Sequence, residues 1–273
     1  MSFIHLRVAS AYSFKYGTTQ PRDLVARASE LEMPALALTD RDGLAGAIRF
    51  TKAAVTHGIA PIIGVNLAIR IGDTSGALPR VTVLAHGDGG WRSLVRLMTG
   101  LQMNSPDRTP VLTPELLEKF SSYTSQLHLL HGPESPLSQA LTAHRFDAAL
   151  TIFNQTRDLF ADHAIECVSH LAPGNGPRST AHAARSLIFA RDNDIDAVLT
   201  NAVRMCHRDD GPVADVLDCA RQLVPLHPRH VERRNAEGYL KSNEQMVSLA
   251  AEIARAAGER TPRALLNTTR QWA

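Results

Sequence analysis

The chain has 273 residues, with 29 Lys and Arg against 27 Asp and Glu, which gives a formal net charge of +2. This length can bury a full core, either as one large α/β domain or as a domain with an appendage. The near-neutral charge gives no overall electrostatic case for a nucleic-acid or membrane partner. Three widely spaced cysteines favour reduced thiols over a disulfide framework, and we expect a cytoplasmic protein without a membrane segment.

Short apolar runs alternate with longer segments of helical periodicity along most of the chain. They predict strands over 3–10, 35–40, 61–69, 80–85, 127–132, 163–169 and 197–203. The predicted helices cover 20–33, 43–58, 90–101, 145–160, 178–193 and 243–258. Repeated strand–helix–strand units imply a mainly parallel sheet, and so many strands favour closure into a barrel. The site of such a barrel lies at the carboxyl ends of its strands, an end called the mouth below.

The pattern changes after residue 222, where turn and charge signals precede the final amphipathic helix. We therefore expect a barrel domain over 1–222 and a C-terminal extension of turns plus a helix over 223–273. The loop "LAPGNGPRS" (171–179) follows the sixth predicted strand, so it should lie at the mouth, where binding loops usually occur.

The first predicted strand, "FIHLRVAS", places three side chains at alternate positions. His5, Arg7 and Ala9 lie two apart, so all three should point to the same side. The question is why a face that begins with a histidine continues with an arginine and an alanine.

Six segments in chain order resemble a known domain: "FIHLRVASAYS", "MPALALTDRDGLAGAIRF", "HGIAPIIGV", "IECVSH", "AVLTNAVR" and "AEGYLKSNEQM". The domain is PHP (polymerase and histidinol phosphatase), in the form found at the N-terminus of bacterial C-family DNA polymerases. These are the DNA polymerase III alpha subunits and their error-prone relatives. The resemblance covers nearly the whole chain. It implies an α/β fold, a distorted (β/α)7 TIM-like barrel of the PHP type, with a helical C-terminal extension that would lead towards a polymerase palm.

Metal-binding members of that family hold up to three divalent ions at the mouth and hydrolyse phosphoesters with them. By the resemblance, the residual metal-site positions that keep a ligand type here are His5, Asp40 and His170. Glu166 lies near by in sequence, and His131 is a weaker match. The positions where the family's ligands are substituted are Arg7, Ala9, Arg41, Asn66, Arg80, Ala202 and Arg204.

Alanine has no ligand atom, and arginine is a permanent cation that cannot coordinate a metal. We expect Arg7, Arg41 and Arg204 to replace metal charge with fixed positive charge and to form a possible anion-binding group. Asp40 should be their partner in a polar network. The expected site therefore has no catalytic residue, no metal and no cofactor.

Three functions follow from these expectations. The leading one is a structural, non-hydrolytic PHP domain of a C-family polymerase. Its partners would be the polymerase core domains in cis, or replication and repair proteins, and it would meet DNA only through the parent DNA-directed DNA polymerase. The second is a metal-dependent PHP phosphoesterase or 3′–5′ exonuclease with Zn, Mn or Mg at His5, Asp40 and His170. The third is a freestanding anion-binding module.

Overall fold

One curled sheet organises the chain. A computed structural model describes residues 2–71, 78–105, 109–231 and 233–273. Its strands are β1 (Ala35–Arg41), β2 (Ala60–Ile69), β3 (Arg80–Ala85), β4 (Val111–Leu112), β5 (Leu127–His131), β6 (Asp162–Cys167) and β7 (Asp196–Leu199). Their order in the sheet is β1-β2-β3-β5-β6-β7, with β4 paired to β2. Neighbours are parallel except that β3 runs antiparallel to both β2 and β5.

Helices cover the outside of this sheet. They are α1 (Pro21–Glu30), α2 (Ala47–Thr56), α3 (Gly87–Met103), α4 (Pro114–Lys119), α5 (Ser121–Thr124), α6 (Pro136–Thr142), α7 (Phe146–Arg157), α8 (Thr180–Asp192), α9 (Gly211–Gln222), α10 (Asn243–Ala256) and α11 (Arg263–Gln271). Ser135, Ser179 and Ser242 each cap a helix by accepting a backbone N–H bond, which satisfies donors that a helix start leaves free. None of the described helices is long and apolar enough to cross a bilayer.

The N-terminal segment closes the curled sheet into a distorted barrel. On one side, the backbone N–H of Thr39 in β1 donates to the carbonyl of Val8 at 2.7 Å. On the other side, the N–H of Ala9 donates to the carbonyl of Val203, just beyond β7, at 2.8 Å. The segment therefore joins the first and last strands of the sheet.

The regular strand predicted over 3–10 is wrong. The segment is extended but bends at Leu6 and forms only one isolated β-bridge, between Val8 and Val203. Leu6 packs inside the barrel while Val8 packs among the helices outside it, so the strict alternation expected for a strand is lost. The other six predicted strands are found, whereas β4, α4, α5, α6, α9 and α11 were not predicted.

The core has an inner and an outer part. Leu84, Leu130, Ala164 and Val198 join Leu6 in the small cluster that fills the barrel interior. Larger clusters lie between the sheet and the helices. Within 223–273, α10 packs on α8 and α11 packs on β7, so the extension shares the core of the barrel. The division at residue 222 stays a prediction.

Candidate functional site at the barrel mouth

A buried arginine occupies the centre of the mouth. The Nη1 atom of Arg7 donates to Oε2 of Glu166 at 3.1 Å, and its Nη2 atom donates to Oε2 of Glu134 at 2.5 Å. The side chain of Arg7 is 7% exposed and that of Glu166 is fully buried. Burial opposes the charge of Arg7, yet the two carboxylates outweigh it and raise the pKa of the guanidinium. The cation is thus held between two anions.

Glu134 also binds two further guanidinium groups. Its Oε1 atom accepts from Arg178 at 2.5 Å and lies 3.4 Å from Nη2 of Arg41. Burial would raise the pKa of Glu134, but Arg7, Arg178 and Arg41 outweigh burial and hold that pKa well below its usual range. This carboxylate is therefore ionised and forms the hub of the network. Arg178 lies in the loop predicted to reach the mouth, so that expectation is confirmed.

A second polar group borders the hub at the end of β2. Arg80 donates from Nε to Oδ1 of Asn66 at 2.7 Å and from Nη2 to Oδ1 of Asp42, also at 2.7 Å. Two positions predicted as substituted ligands therefore bind each other. The hydrogen bonds of Arg80 to Asn66 and its ion pair with Asp42 therefore join the start of β3 to β2 and to the residue after β1.

Tyr16 links the mouth to helix α9. The guanidinium carbon of Arg41 lies 3.4 Å from the centroid of the Tyr16 ring, and that of Arg204 lies 4.3 Å from it, which are cation–π distances. Arg204 also forms a bidentate ion pair with Asp218 at 2.9 and 3.0 Å. The predicted anion-binding capacity of Arg204 is therefore already used within the chain.

Little space remains at the mouth. The cavity lined by Arg7, Ala9, Arg41 and Ala202 has a volume of about 10 Å³, roughly the minimum for one water molecule. Close packing also constrains the backbone, because a Cβ atom at Gly132 would lie 2.5 Å from Nη1 of Arg7. The arginines thus fill the space as well as supplying charge.

The two retained histidines bind protein carbonyls. Nε2 of His5 lies 3.0 Å from the carbonyl oxygen of Lys241, and Nε2 of His170 lies 2.8 Å from that of Asn201. Burial lowers the pKa of His5 to about 4, and burial with Arg178 near by lowers the pKa of His170 to about 3. Both rings are neutral at pH 7, and each is already committed to a hydrogen bond.

Asp40 does not pair with the arginines, so that prediction is wrong. Its carboxylate accepts from the backbone N–H of Ser10 at 2.6 Å and from the hydroxyl groups of Ser10 and Ser13. Burial raises the pKa of Asp40, and these hydrogen bonds oppose the rise. The reason is strand alternation: Arg41 points towards the mouth, so its neighbour Asp40 points the other way and holds the 10–13 turn.

Comparison with known proteins places this geometry in a family. A family model described as PHP domain matches residues 5–170. The chain is 31% identical over 93% of its length to an error-prone DNA polymerase of Symbiobacterium thermophilum. It is 28% identical over 97% of its length to the DNA polymerase III subunit alpha of Escherichia coli. The chain belongs to the PHP domain family.

This PHP domain spans only about a quarter of the length of these relatives, 24% of the first and 22% of the second. Among solved structures, an amidohydrolase from Chromobacterium violaceum with bound sulfate and no metal superposes with a TM-score of 0.49 and 12% identity. That match covers 74% of this chain and 87% of the other.

The side chains of this PHP domain do not fit a metal centre at the mouth. Among the described residues, no group of three or more His, Cys, Asp or Glu is arranged to hold an ion. Nδ1 of His5 and Oε1 of Glu166 are buried without a hydrogen-bond partner, but the guanidinium of Arg7 is bound to the same Glu166. A divalent ion there would meet a fixed positive charge.

His131 lies outside the mouth. It stacks on His163, with 5.6 Å between ring centroids, and packs against Phe153 of α7 in the helical layer. Its neighbour Leu130 faces the barrel interior, so strand alternation directs His131 outward. Of the other predicted positions, Arg7, Ala9, Arg41, Asn66 and Ala202 do meet at the mouth.

Sequence reasoning missed Glu134, which binds three of the mouth arginines. One signal could have found it. Glu134 lies in "HGPES", a short way beyond the last residue of β5, His131, and the carboxyl end of a barrel strand is where polar residues converge.

Proposed function

We propose that this chain is the PHP domain of a DNA polymerase III alpha-type polymerase and that its role there is structural. On this proposal it performs no metal-dependent hydrolysis and needs no cofactor. It supports the polymerase core domains in cis, or replication and repair proteins, in the cytoplasm and meets DNA only through the parent polymerase. The family membership and the two polymerase relatives support the context.

One observation carries the structural role. The guanidinium of Arg7 lies where Glu134 and Glu166 converge and leaves a mouth cavity of only about 10 Å³. Phosphoester hydrolysis by metal ions needs several anionic or neutral ligands around an open position for substrate and water. Here both carboxylates are bound to the guanidinium of Arg7, and the space is filled. The same closure argues against an anion-binding module, because each mouth arginine already has an anionic partner.

The hydrolysis test uses the untagged chain as purified. Elemental analysis should find less than one equivalent of zinc, manganese or iron. Incubation with Mg²⁺, Mn²⁺ or Zn²⁺ should give no turnover of bis(p-nitrophenyl) phosphate or of a 3′-labelled single-stranded DNA.

Variants His5→Ala and His170→Ala control for contaminating nucleases. Turnover that both substitutions abolish would overturn the proposal, since it would depend on the residual ligand positions. Turnover that neither substitution affects belongs to a contaminant. The polymerase context has a separate test: reading the gene beyond the codon for Ala273 should reveal a polymerase palm, and a stop codon there would favour a freestanding domain.

A further inference from the structure

A second cavity lies at the base of the barrel, opposite the mouth. Its walls include Pro61, His128, Asp162 and Asp196, which stand at or near the first residues of the parallel strands β2, β5, β6 and β7. Its volume is about 750 Å³, within the range of about 300–1,000 Å³ typical of small-molecule sites. The mouth of the barrel is therefore closed, whereas the base is open.

Aromatic side chains form much of this base cavity. Both tryptophans of the chain, Trp91 and Trp272, line it. Trp272 meets His128 edge-on at 5.3 Å, and His128 stacks on His86 with 5.1 Å between ring centroids. The indole Nε1 of Trp272 donates to Oδ2 of Asp196 at 2.7 Å, which fixes the ring at the cavity wall. Flat apolar surfaces are thus held ready for a ligand.

The charge at the base has one sign. Asp88, Asp162 and Asp196 line the cavity, and no Lys or Arg is among its described lining residues. Burial lowers the pKa of His128, with Asp162 opposing, so this ring carries no charge at pH 7. In the described part of the chain the side chain of Asp162 makes no hydrogen bond or ion pair, in contrast to that of Asp196, which binds Trp272. A free carboxylate therefore borders an aromatic wall.

We propose that the base cavity binds a small organic cation with a flat or apolar body. The body would lie against Trp91 and Trp272, and the cationic group would pair with Asp162. Three carboxylates would repel a phosphate, so charge complementarity disfavours a nucleotide. This site is independent of the structural role proposed for the mouth.

The test uses three probes that share a benzene ring but differ in charge: the cation benzamidinium, the neutral benzamide and the anion benzoate. Each is titrated into the full 273-residue chain labelled with ¹⁵N. Because the chain has only two tryptophans, just two indole N–H signals report on occupancy. Benzamidinium should shift both signals saturably, whereas benzamide should bind more weakly and benzoate should leave them unchanged. Added salt should weaken benzamidinium binding.

Asp162→Asn removes the free carboxylate while nearly keeping its shape. We expect benzamidinium to bind about fivefold more weakly, the factor expected from losing an exposed charge pair. Glu252→Gln, on the exposed face of α10, removes the same charge elsewhere and should not change the affinity. Trp272→Ala should abolish the shift of the Trp91 signal, and circular dichroism checks that each variant is folded.

Several results would overturn the proposal. Equal binding of benzamidinium and benzamide would show that the cavity does not recognise charge. Tighter binding of benzoate, or equal losses in Asp162→Asn and Glu252→Gln, would show that Asp162 is not the partner. Absence of any saturable shift for benzamidinium would show that the cavity is not a site for organic cations.

Discussion

The two ends of the barrel are packed differently. At the mouth, Glu134 and Glu166 bind the converging arginine side chains, and a cavity of only about 10 Å³ is left. At the base, tryptophans and aspartates surround about 750 Å³ of open space. The end at which barrel enzymes place their chemistry is therefore the filled one. The difference teaches that the mouth of such a barrel need not be an open site, because arginine side chains can supply both charge and volume there.

The largest expected effect concerns Arg7. Arg7→Met keeps much of the side-chain volume but leaves Glu166 and Glu134 near each other without their shared cation. Breaking a buried ion pair from one side typically costs about 3–5 kcal/mol, so urea unfolding should show a loss of this size. Arg22→Met is the control, because Arg22 is 81% exposed in its ion pair with Asp23. Similar stability of the two variants would mean that the mouth is no better packed than the surface.

The next effect tests close packing rather than charge. A methyl group at Gly132 would lie 2.5 Å from Nη1 of Arg7 and 2.8 Å from Oε2 of Glu166. Gly132→Ala should destabilise by about 1–3 kcal/mol, as overpacking of a filled core does. Gly176→Ala is matched to it, since a Cβ atom at Gly176 would meet nothing within 4 Å. Equal melting temperatures for these two variants would contradict the filled mouth.

The third prediction concerns the loss of folding stability at low pH. The pKa of His5 is lowered to about 4 and that of His170 to about 3, chiefly by burial. Between these values and the ordinary value near 6.5 the unfolded chain binds more protons than the folded chain, so stability falls as pH falls. Each histidine then contributes a loss of up to about 1.4 kcal/mol per pH unit in that window.

Histidine ring signals in NMR spectra measured against pH check this prediction. The rings of His5 and His170 should remain neutral down to about pH 4 and about pH 3, respectively. If His5 and His170 titrated near the ordinary value of about 6.5, the mouth would be open to water.

The smallest effect is expected at the base. Asp162 is exposed and makes no hydrogen bond or ion pair within the described residues, so Asp162→Asn should change the free energy of unfolding by less than about 0.5 kcal/mol. Thermal unfolding of the variant measures this directly. A loss comparable to that of Arg7→Met would erase the contrast between a structural mouth and an open base.

Most of the fold could be predicted because hydrophobic periodicity marks buried strands and amphipathic helices. The exceptions have physical causes. Residues 3–10 are apolar enough to suggest a strand, but tertiary contacts on both sides bend the segment at Leu6. Helix α6 has only 7 residues and begins with Pro136, and α9 begins with Gly211 and Pro212, so turn signals at their starts concealed them.

The site could be predicted only in part. The resemblance correctly brought Arg7, Arg41 and Asn66 together at the mouth. Ionic partners were harder to predict, because they depend on which face of a strand a side chain occupies. Asp40 lies next to Arg41 in sequence but on the opposite face, and Glu134 lies more than 90 residues away from Arg41 yet binds it.

The closure of the barrel by the N-terminal segment affects how the protein can fold during synthesis. Ala9 reaches its partner Val203 only across almost 200 intervening residues, and Arg7 needs Glu134 and Glu166 to neutralise it. A chain emerging from the ribosome therefore exposes its first segment, including Leu6, until the last strand has been made. Contacts of such long sequence separation slow folding and leave partly folded intermediates vulnerable to aggregation. Residues 3–10 are thus among the last parts of this domain to become ordered.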